Sequence, residues 1–351
     1  MPVFSSRLLK RMLDILKHTK FAHKILVLCV VVLLLGIFAG IMLGEIYDPN
    51  NAILGNNVQT QEIREGGYKF ISPLLECEPS NLSGKLNGLD PLRDRLASMV
   101  DNAKNNGSIT DAAIYYRDLN NGPWFGINEH ANFSPASLLK LPVMMAYYKL
   151  ADQNPSILSA SIPYNQDKNV LLETFSAPTM EKGRTYTVRD LVERMIVYSD
   201  NAALVLLEQN IKNDLIDKIT MDLGVETAEQ NTPEDFMSVK GYAGLFRILY
   251  NASYISKKYS EEALGVLSKT NFRSGLVDKL PKNIVVTHKY GERSLENGVN
   301  QLHDCGIVYY PKSPYLVCIM TRGKDNEGLT SFISKVSFEI YNEVDRKVRG
   351  R

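Results

Sequence analysis

Ligand-binding cysteine patterns and a dominant charge are both missing from this chain. Its four cysteines, Cys29, Cys77, Cys305 and Cys318, and its five histidines form no Cys-x-x-Cys or His-x-x-x-His spacing, so no metal site and no cofactor are expected. Lys and Arg number 40 against 39 Asp and Glu, a net charge of +1. A nucleic-acid partner, which needs a basic stripe, is therefore not expected. Internal repeats and low-complexity tracts are also lacking. What remains is ordinary globular composition, 44% hydrophobic and 23% charged, in a chain long enough for one large or two small domains.

The only dense basic cluster has a local explanation. Arg7, Lys10, Arg11, Lys17, Lys20 and Lys24, opposed by Asp14 alone, precede an uncharged apolar run over residues 25–43. As a helix that run spans roughly the 30 Å of a bilayer core. Basic residues before it, and Glu45 and Asp48 after it, predict a cytoplasmic segment 1–24 and a transmembrane anchor 25–44, with everything beyond exported. With no small-x-small cleavage site after the run, an uncleaved anchor is expected in preference to a removed signal. The expected location is the cell membrane, single-pass, with the bulk of the chain outside. An oxidising compartment permits disulfides. Cys305 and Cys318 flank a hairpin turning at Pro311–Ser313, where they either face each other across two strands or remain buried thiols.

Residues 45–88, rich in Asn, Gly and Pro around an apolar island at 70–75, read as a linker, and 89–351 as the folded domain. That domain opens with a helix over 91–104 and a strand, an Asn-Gly turn and a second strand over 112–127. Helices follow at about 136–151, 187–198 (capped by Thr187), 201–218 and 233–250. Strands return near 283–290, 304–310 and 314–321, before a last helix over 328–345. The pattern predicts an α+β fold, helical layers on an antiparallel sheet.

Ser137 and Lys140 stand three positions apart at the start of a helix, where i and i+3 share a face. A serine hydroxyl needs a base, and a desolvated lysine amine can serve. Such a pair is common by chance and is informative only in company. Ser199-Asp200-Asn201 follows at a helix junction, and His288-Lys289-Tyr290-Gly291 at the end of a strand. With these three motifs in order, the chain resembles the penicillin-recognising serine hydrolases, most closely class A β-lactamases, over about residues 90–348. The resemblance implies a five-stranded sheet, Ser137 as acylated nucleophile and Lys140 as its base. It further implies that Ser199 relays a proton to the leaving nitrogen, that Asn201 binds the substrate amide, and that Lys289 raises the positive potential across the cleft. Asp200 ties down its loop, Gly291 lets substrate pair with the strand, and the N–H groups of Ser137 and Glu292 form an oxyanion hole.

Departures from the family pattern are specific. Tyr290 replaces a small hydroxyl that helps hold a substrate carboxylate. Thr232-Pro233 is recognisable, but the stretch between Asn201 and Pro233 is too short for the loop that carries the deacylating glutamate, leaving Glu226 and Glu229 as nearby carboxylates. Cys305 aligns with a position that is often arginine, for which Arg293 or Arg322 would have to substitute.

The expected activity is therefore hydrolysis of a small-molecule β-lactam, or of a D-Ala-D-Ala-type amide from cell-wall peptide, by a monomer through an acyl-Ser137 ester that is released slowly. The alternatives are a penicillin-binding peptidase-like enzyme or a non-catalytic module binding wall peptide or a partner. A Ser-His-Asp triad using His130, His288 or His303 lacks a nucleophile elbow. Asn81 and Asn251 begin glycosylation sequons that matter only in a cell with that machinery.

Overall fold

The computed structural model of the protein describes residues 63–76, 88–120, 122–165, 180–211, 213–224, 233–295 and 298–350. Thr60–Arg351 is one compact unit; the other, Met1–Gln59, which holds the expected anchor, lies outside the described residues. Among the described residues no helix is long and apolar enough to cross a membrane.

A short hairpin, β1 (Ile63–Arg64) and β2 (Leu74–Glu76), comes first. It falls in the segment expected to be a linker, yet Phe70 and Ile71 are buried in the core. Three successive backbone N–H groups, of Lys69, Phe70 and Ile71, donate to the Glu261 carboxylate at 2.9–3.2 Å. The apolar island that seemed isolated in sequence is thus part of the folded body, held by a distant acid.

Helix α1 (Asp90–Asn105), with Pro91 in its first turn, buries Leu92, Leu96 and Val100 on one face. β3 (Asp111–Asp118) and β4 (Trp124–Ile127) follow as expected. After β5 (Asn132–Phe133), the helix expected from 136 is a 3₁₀ turn, Ala136–Leu139, leading into α2 (Lys140–Gln153). β6 (Ser161–Pro163) pairs with β7 (Thr185–Thr187). Thr187 caps α3 (Val188–Val197) through a reciprocal capping box with Asp190. The long helix expected over 201–218 is two, α4 (Asn201–Gln209) and α5 (Asn213–Asp222), because Asn210 ends the first. β8 (Met237–Ser238) precedes α6, which starts at Val239, not near 233, where Ser238 caps it (Val239–Asn251). A helix missed in the sequence, α7 (Lys257–Leu267), is capped by Ser256.

β9 (Val286–Ser294), β10 (Asn300–Val308) and β11 (Tyr315–Gly323) complete an antiparallel five-stranded sheet in the order β4-β3-β11-β10-β9, and α8 (Asn326–Arg349) closes the chain. One face of the sheet packs on α1 and α8, and the other on the central helices. The fold is therefore the expected α+β sandwich. One row of the sheet runs Lys289, Cys305, Cys318, Tyr115 and Gly126. Cys305 and Cys318, opposite each other in this row, form a disulfide.

Candidate active site

Ser137 lies in the 3₁₀ turn, and Lys140 begins α2. The turn is entered in a left-handed conformation, Ala136 at φ 47°, and Ser199 adopts φ 56°. Non-glycine residues rarely sit there, and such strain persists only where the surroundings impose it. Here both strained residues carry or adjoin the groups that meet.

Lys140 Nζ donates to Ser137 Oγ at 3.1 Å, to Ser199 Oγ at 3.1 Å, to Ser199 O at 2.5 Å and to Asn201 Oδ1 at 2.7 Å. From the edge strand β9, Lys289 Nζ donates to Ser199 Oγ at 3.0 Å and to Tyr290 O at 2.8 Å. Three motifs far apart in sequence thus converge on two hydroxyls. Both lysines are at most 1% exposed. Burial pushes Lys140 down to about 8, with Asp200 and Glu208 opposing the shift. Burial, then repulsion from Lys140, puts Lys289 well below the ordinary lysine range. A lysine so placed has an accessible neutral form, and neutral amine at 3.1 Å is able to take a serine proton.

The supporting residues fall as follows. Asp200 is structural: Oδ1 accepts from Ala202 N at 2.9 Å and Ala203 N at 3.1 Å, capping α4, and Oδ2 meets Arg194 Nε at 3.1 Å. At Gly291 the reason for glycine differs from the expected one. A Cβ there would lie 2.8 Å from Pro135 O and 3.0 Å from Leu138 Cγ. Glycine therefore allows β9 to press against the Ser137 turn itself, not only against a substrate. Glu292 follows, so its backbone runs beside that turn. Its side chain leaves the site to accept from the Asn326 amide, and burial raises its carboxyl pKa.

Tyr290 is 1% exposed, its phenol beside Ser199 and pushed up to about 12 by burial. Phe272 stacks on it, ring centroids 4.3 Å apart. No sequence signal marked Phe272, because the two rings meet only through the fold. Glu208, also unmarked, lies on α4 within electrostatic reach of Lys140.

Neither proposed arginine is free for a carboxylate. Arg293 is ion-paired with Glu234, and Arg322 with Asp235 at 2.6 Å. The histidines are structural. His288 Nδ1 meets Asp304 Oδ1 at 2.8 Å in the core. His303 bonds Ser134 O and Thr321 N, and burial lowers it to about 4. His130 is at the surface, 3.8 Å from Glu129. None bonds Ser137 among the described residues. Glu226, Glu229 and Thr232, with Cys29, Cys77, Asn81 and the basic cluster, lie outside the described residues. Among the described residues no group of His, Cys, Asp and Glu is arranged to hold a metal ion.

Comparison with known proteins identifies the family and the fold. The family described as the beta-lactamase enzyme family matches residues 91–344. Beta-lactamase VEB-1 from Pseudomonas aeruginosa is 24% identical over 241 residues, 61% of this chain and 80% of that protein. Among solved structures, PBP-A as an acyl-enzyme complex with penicillin G superposes with a TM-score of 0.63 at 20% identity, covering 74% of this chain and 97% of its own. A beta-lactamase from Chitinophaga pinensis gives 0.64 at 20% identity, covering 72% and 99%. At such identities the structural likeness speaks for the fold.

Proposed function

This chain belongs to the β-lactamase enzyme family, and from that premise we propose that it is a membrane-anchored serine acyl hydrolase acting on β-lactams or D-Ala-D-Ala-type amides, with acylation of Ser137 faster than its release. The observation that carries this reading is the 3.1 Å contact between Ser137 Oγ and a buried Lys140 Nζ. In the proposed reaction Ser137 Oγ attacks the amide carbonyl while Lys140 takes its proton. Backbone N–H groups at Ser137 and Glu292 stabilise the oxyanion that exists only in the tetrahedral state. Collapse breaks the C–N bond, and Ser199, linked to both lysines, passes a proton to the leaving nitrogen. An acyl-Ser137 ester remains, and water must then be activated to cleave it.

Slow release is supported by the short stretch between Asn201 and Pro233, which leaves no room for the family's glutamate-bearing loop. The apolar run 25–43 supports an anchor over 25–44, and the Cys305–Cys318 disulfide supports an oxidising compartment for the domain. In this reading the protein acts as a monomer.

A second reading, a penicillin-binding peptidase-like enzyme or a non-catalytic module for wall peptide, is favoured by one observation. Buried Tyr290, stacked on half-buried Phe272, fills space beside Ser199 where the family keeps a small hydroxyl. Stopped-flow measurement with a chromogenic cephalosporin separates the readings. A burst of about one equivalent followed by slow turnover supports the hydrolase; a burst with no turnover supports the peptidase-like enzyme; no burst supports the binding module.

A further inference from the structure

Ser134, just ahead of the turn that carries the nucleophile, is gripped at both of its backbone groups by one strand. Ser134 N donates to Gln301 Oε1 at 3.0 Å, and His303 Nε2 donates to Ser134 O at 2.9 Å. Gln301 and His303 alternate along β10 and so share a face. Both are fully buried.

Each of the two side chains is oriented from behind. Thr321 N donates to His303 Nδ1 at 3.2 Å, which puts the ring proton on Nε2, facing Ser134 O. Burial lowers His303 to about 4, so the ring stays neutral and keeps that tautomer. Gln301 Nε2 donates to Asp235 Oδ1 at 2.7 Å, which leaves the amide oxygen for Ser134 N. Asp235 in turn accepts from Arg322 Nη2 at 2.6 Å, and the same nitrogen donates to Asn132 O at 3.1 Å.

Any buried loop must satisfy its backbone groups. This one also carries strain, because Ala136 sits at φ 47°, a conformation that persists only where the surroundings impose it. Beyond Ala136 the chain is held again: Leu138 N donates to Pro135 O at 2.9 Å, and Tyr242 on α6 donates its hydroxyl to Leu138 O at 3.1 Å. Ser137 therefore lies between two fixed points, Ser134 and Leu138. Gly291 stands opposite His303 in the β9–β10 register, and without a Cβ it lets the turn cross β9 to reach β10. A displacement of about 1 Å at a reacting group can cost about a hundredfold in rate.

We propose that His303 and Gln301 are positioning residues, clamping Ser134 so that the strained turn holds Ser137 Oγ against Lys140 Nζ. They act through the backbone of residues 134–137, not on the reacting atoms. Asp235, just past the short stretch that ends at Pro233, stands behind the clamp. The proposal rests on the reading of Ser137 as the nucleophile.

The test compares His303→Phe, which keeps a ring and removes both hydrogen bonds, with His303→Gln, which retains a donor for Ser134 O. Full-length protein in maltoside micelles is mixed with a chromogenic cephalosporin at several concentrations, separating the acylation rate constant from the dissociation constant of the first complex. Hydrogen exchange of residues 132–141, followed by mass spectrometry, needs no substrate. H303F is expected to acylate at least about tenfold more slowly, with little change in the dissociation constant and faster exchange over 132–141. H303Q is expected to recover most of the rate. Asp235→Ala, at a half-buried position, serves if H303F folds poorly, with a smaller loss in the same direction. Equal losses in H303F and H303Q, a change in the dissociation constant alone, or wild-type rate and exchange in the folded variant overturn the proposal. A wild type that is never acylated overturns the reading of Ser137 instead, and the clamp is then decided by exchange: unchanged protection of 132–141 in H303F overturns it.

Discussion

Lys140 and Lys289, one opening a helix and the other on the edge strand, donate to the same acceptor, Ser199 Oγ, at 3.1 and 3.0 Å. Two ammonium groups on one buried hydroxyl would repel strongly, and both lysines are pushed below their ordinary range. The site is therefore built to hold at least one neutral amine, which is the form that accepts a proton.

The first prediction concerns pH. Lys140 is lowered to about 8, and only its deprotonated form serves as base, so the rate of Ser137 acylation rises with pH and levels off above about 8. At pH 6 it falls to about a hundredth of the plateau, since one pH unit is a factor of ten. The linked stability has the same sign: between pH 8 and the ordinary lysine value the unfolded chain binds the extra proton, so the folded state gains stability as pH rises. Pre-steady-state acylation from pH 6 to 10 checks the first statement and chemical denaturation the second. A flat acylation profile would count against Lys140 as base.

The second prediction concerns Tyr290. Tyr290→Thr restores the small hydroxyl of the family but leaves a void beneath Phe272, costing about 3–5 kcal/mol as other large aromatic truncations do. Acylation by a carboxylate-bearing β-lactam accelerates in the surviving folded protein, because the phenol no longer fills the space beside Ser199. Tyr290→Phe keeps the stack and changes stability by far less. Thermal melts paired with labelling rates measure both, and a slower T variant would assign the phenol a direct role in the reaction.

Third, replacing Gly291 by alanine puts a Cβ 2.8 Å from Pro135 O, a contact that backbone must relieve. The Ser137 turn and β9 then separate, and acylation drops at least about tenfold while the protein still folds, since overpacking costs about 1–3 kcal/mol. Circular dichroism with labelling kinetics distinguishes this from simple unfolding.

The sheet, its flanking helices and the three motifs were legible because each rests on local pattern: the Asn-Gly turn between β3 and β4, the cap at Thr187, the spacing of Ser137 and Lys140. What the sequence did not disclose depends on contacts between distant segments. Glu261 reaches back to residues 69–71, turning an expected linker into part of the core. Phe272 meets Tyr290 only once the strand edge is formed. Gly291 was read for substrate access, while its nearest neighbours are the nucleophile's own turn. The helix at Lys257–Leu267 was the exception: Ser256 and the apolar spacing of Tyr259, Ala263 and Leu267 signalled it locally.

A fourth prediction follows from the disulfide. Cys305 and Cys318 are 13 residues apart, and closing a loop of that size stabilises by about 3 kcal/mol in the chain-entropy view. Reduction, or Cys318→Ala, therefore lowers the melting temperature by roughly 5 °C for a folded unit of this size. Acylation of Ser137 at 25 °C persists, because the hydrogen bonds joining Ser137, Lys140, Ser199 and Lys289 involve neither sulfur. Melts with and without reductant, each followed by labelling, are the check.

Intact-mass spectrometry after incubation with penicillin G tests the central claim most directly. The wild type is predicted to gain the mass of one penicillin, mapped by peptide digestion to Ser137, and to keep it long after free antibiotic is removed, while Ser137→Ala gains nothing. An unmodified wild type with no antibiotic consumed, or an adduct retained in Ser137→Ala, would contradict it.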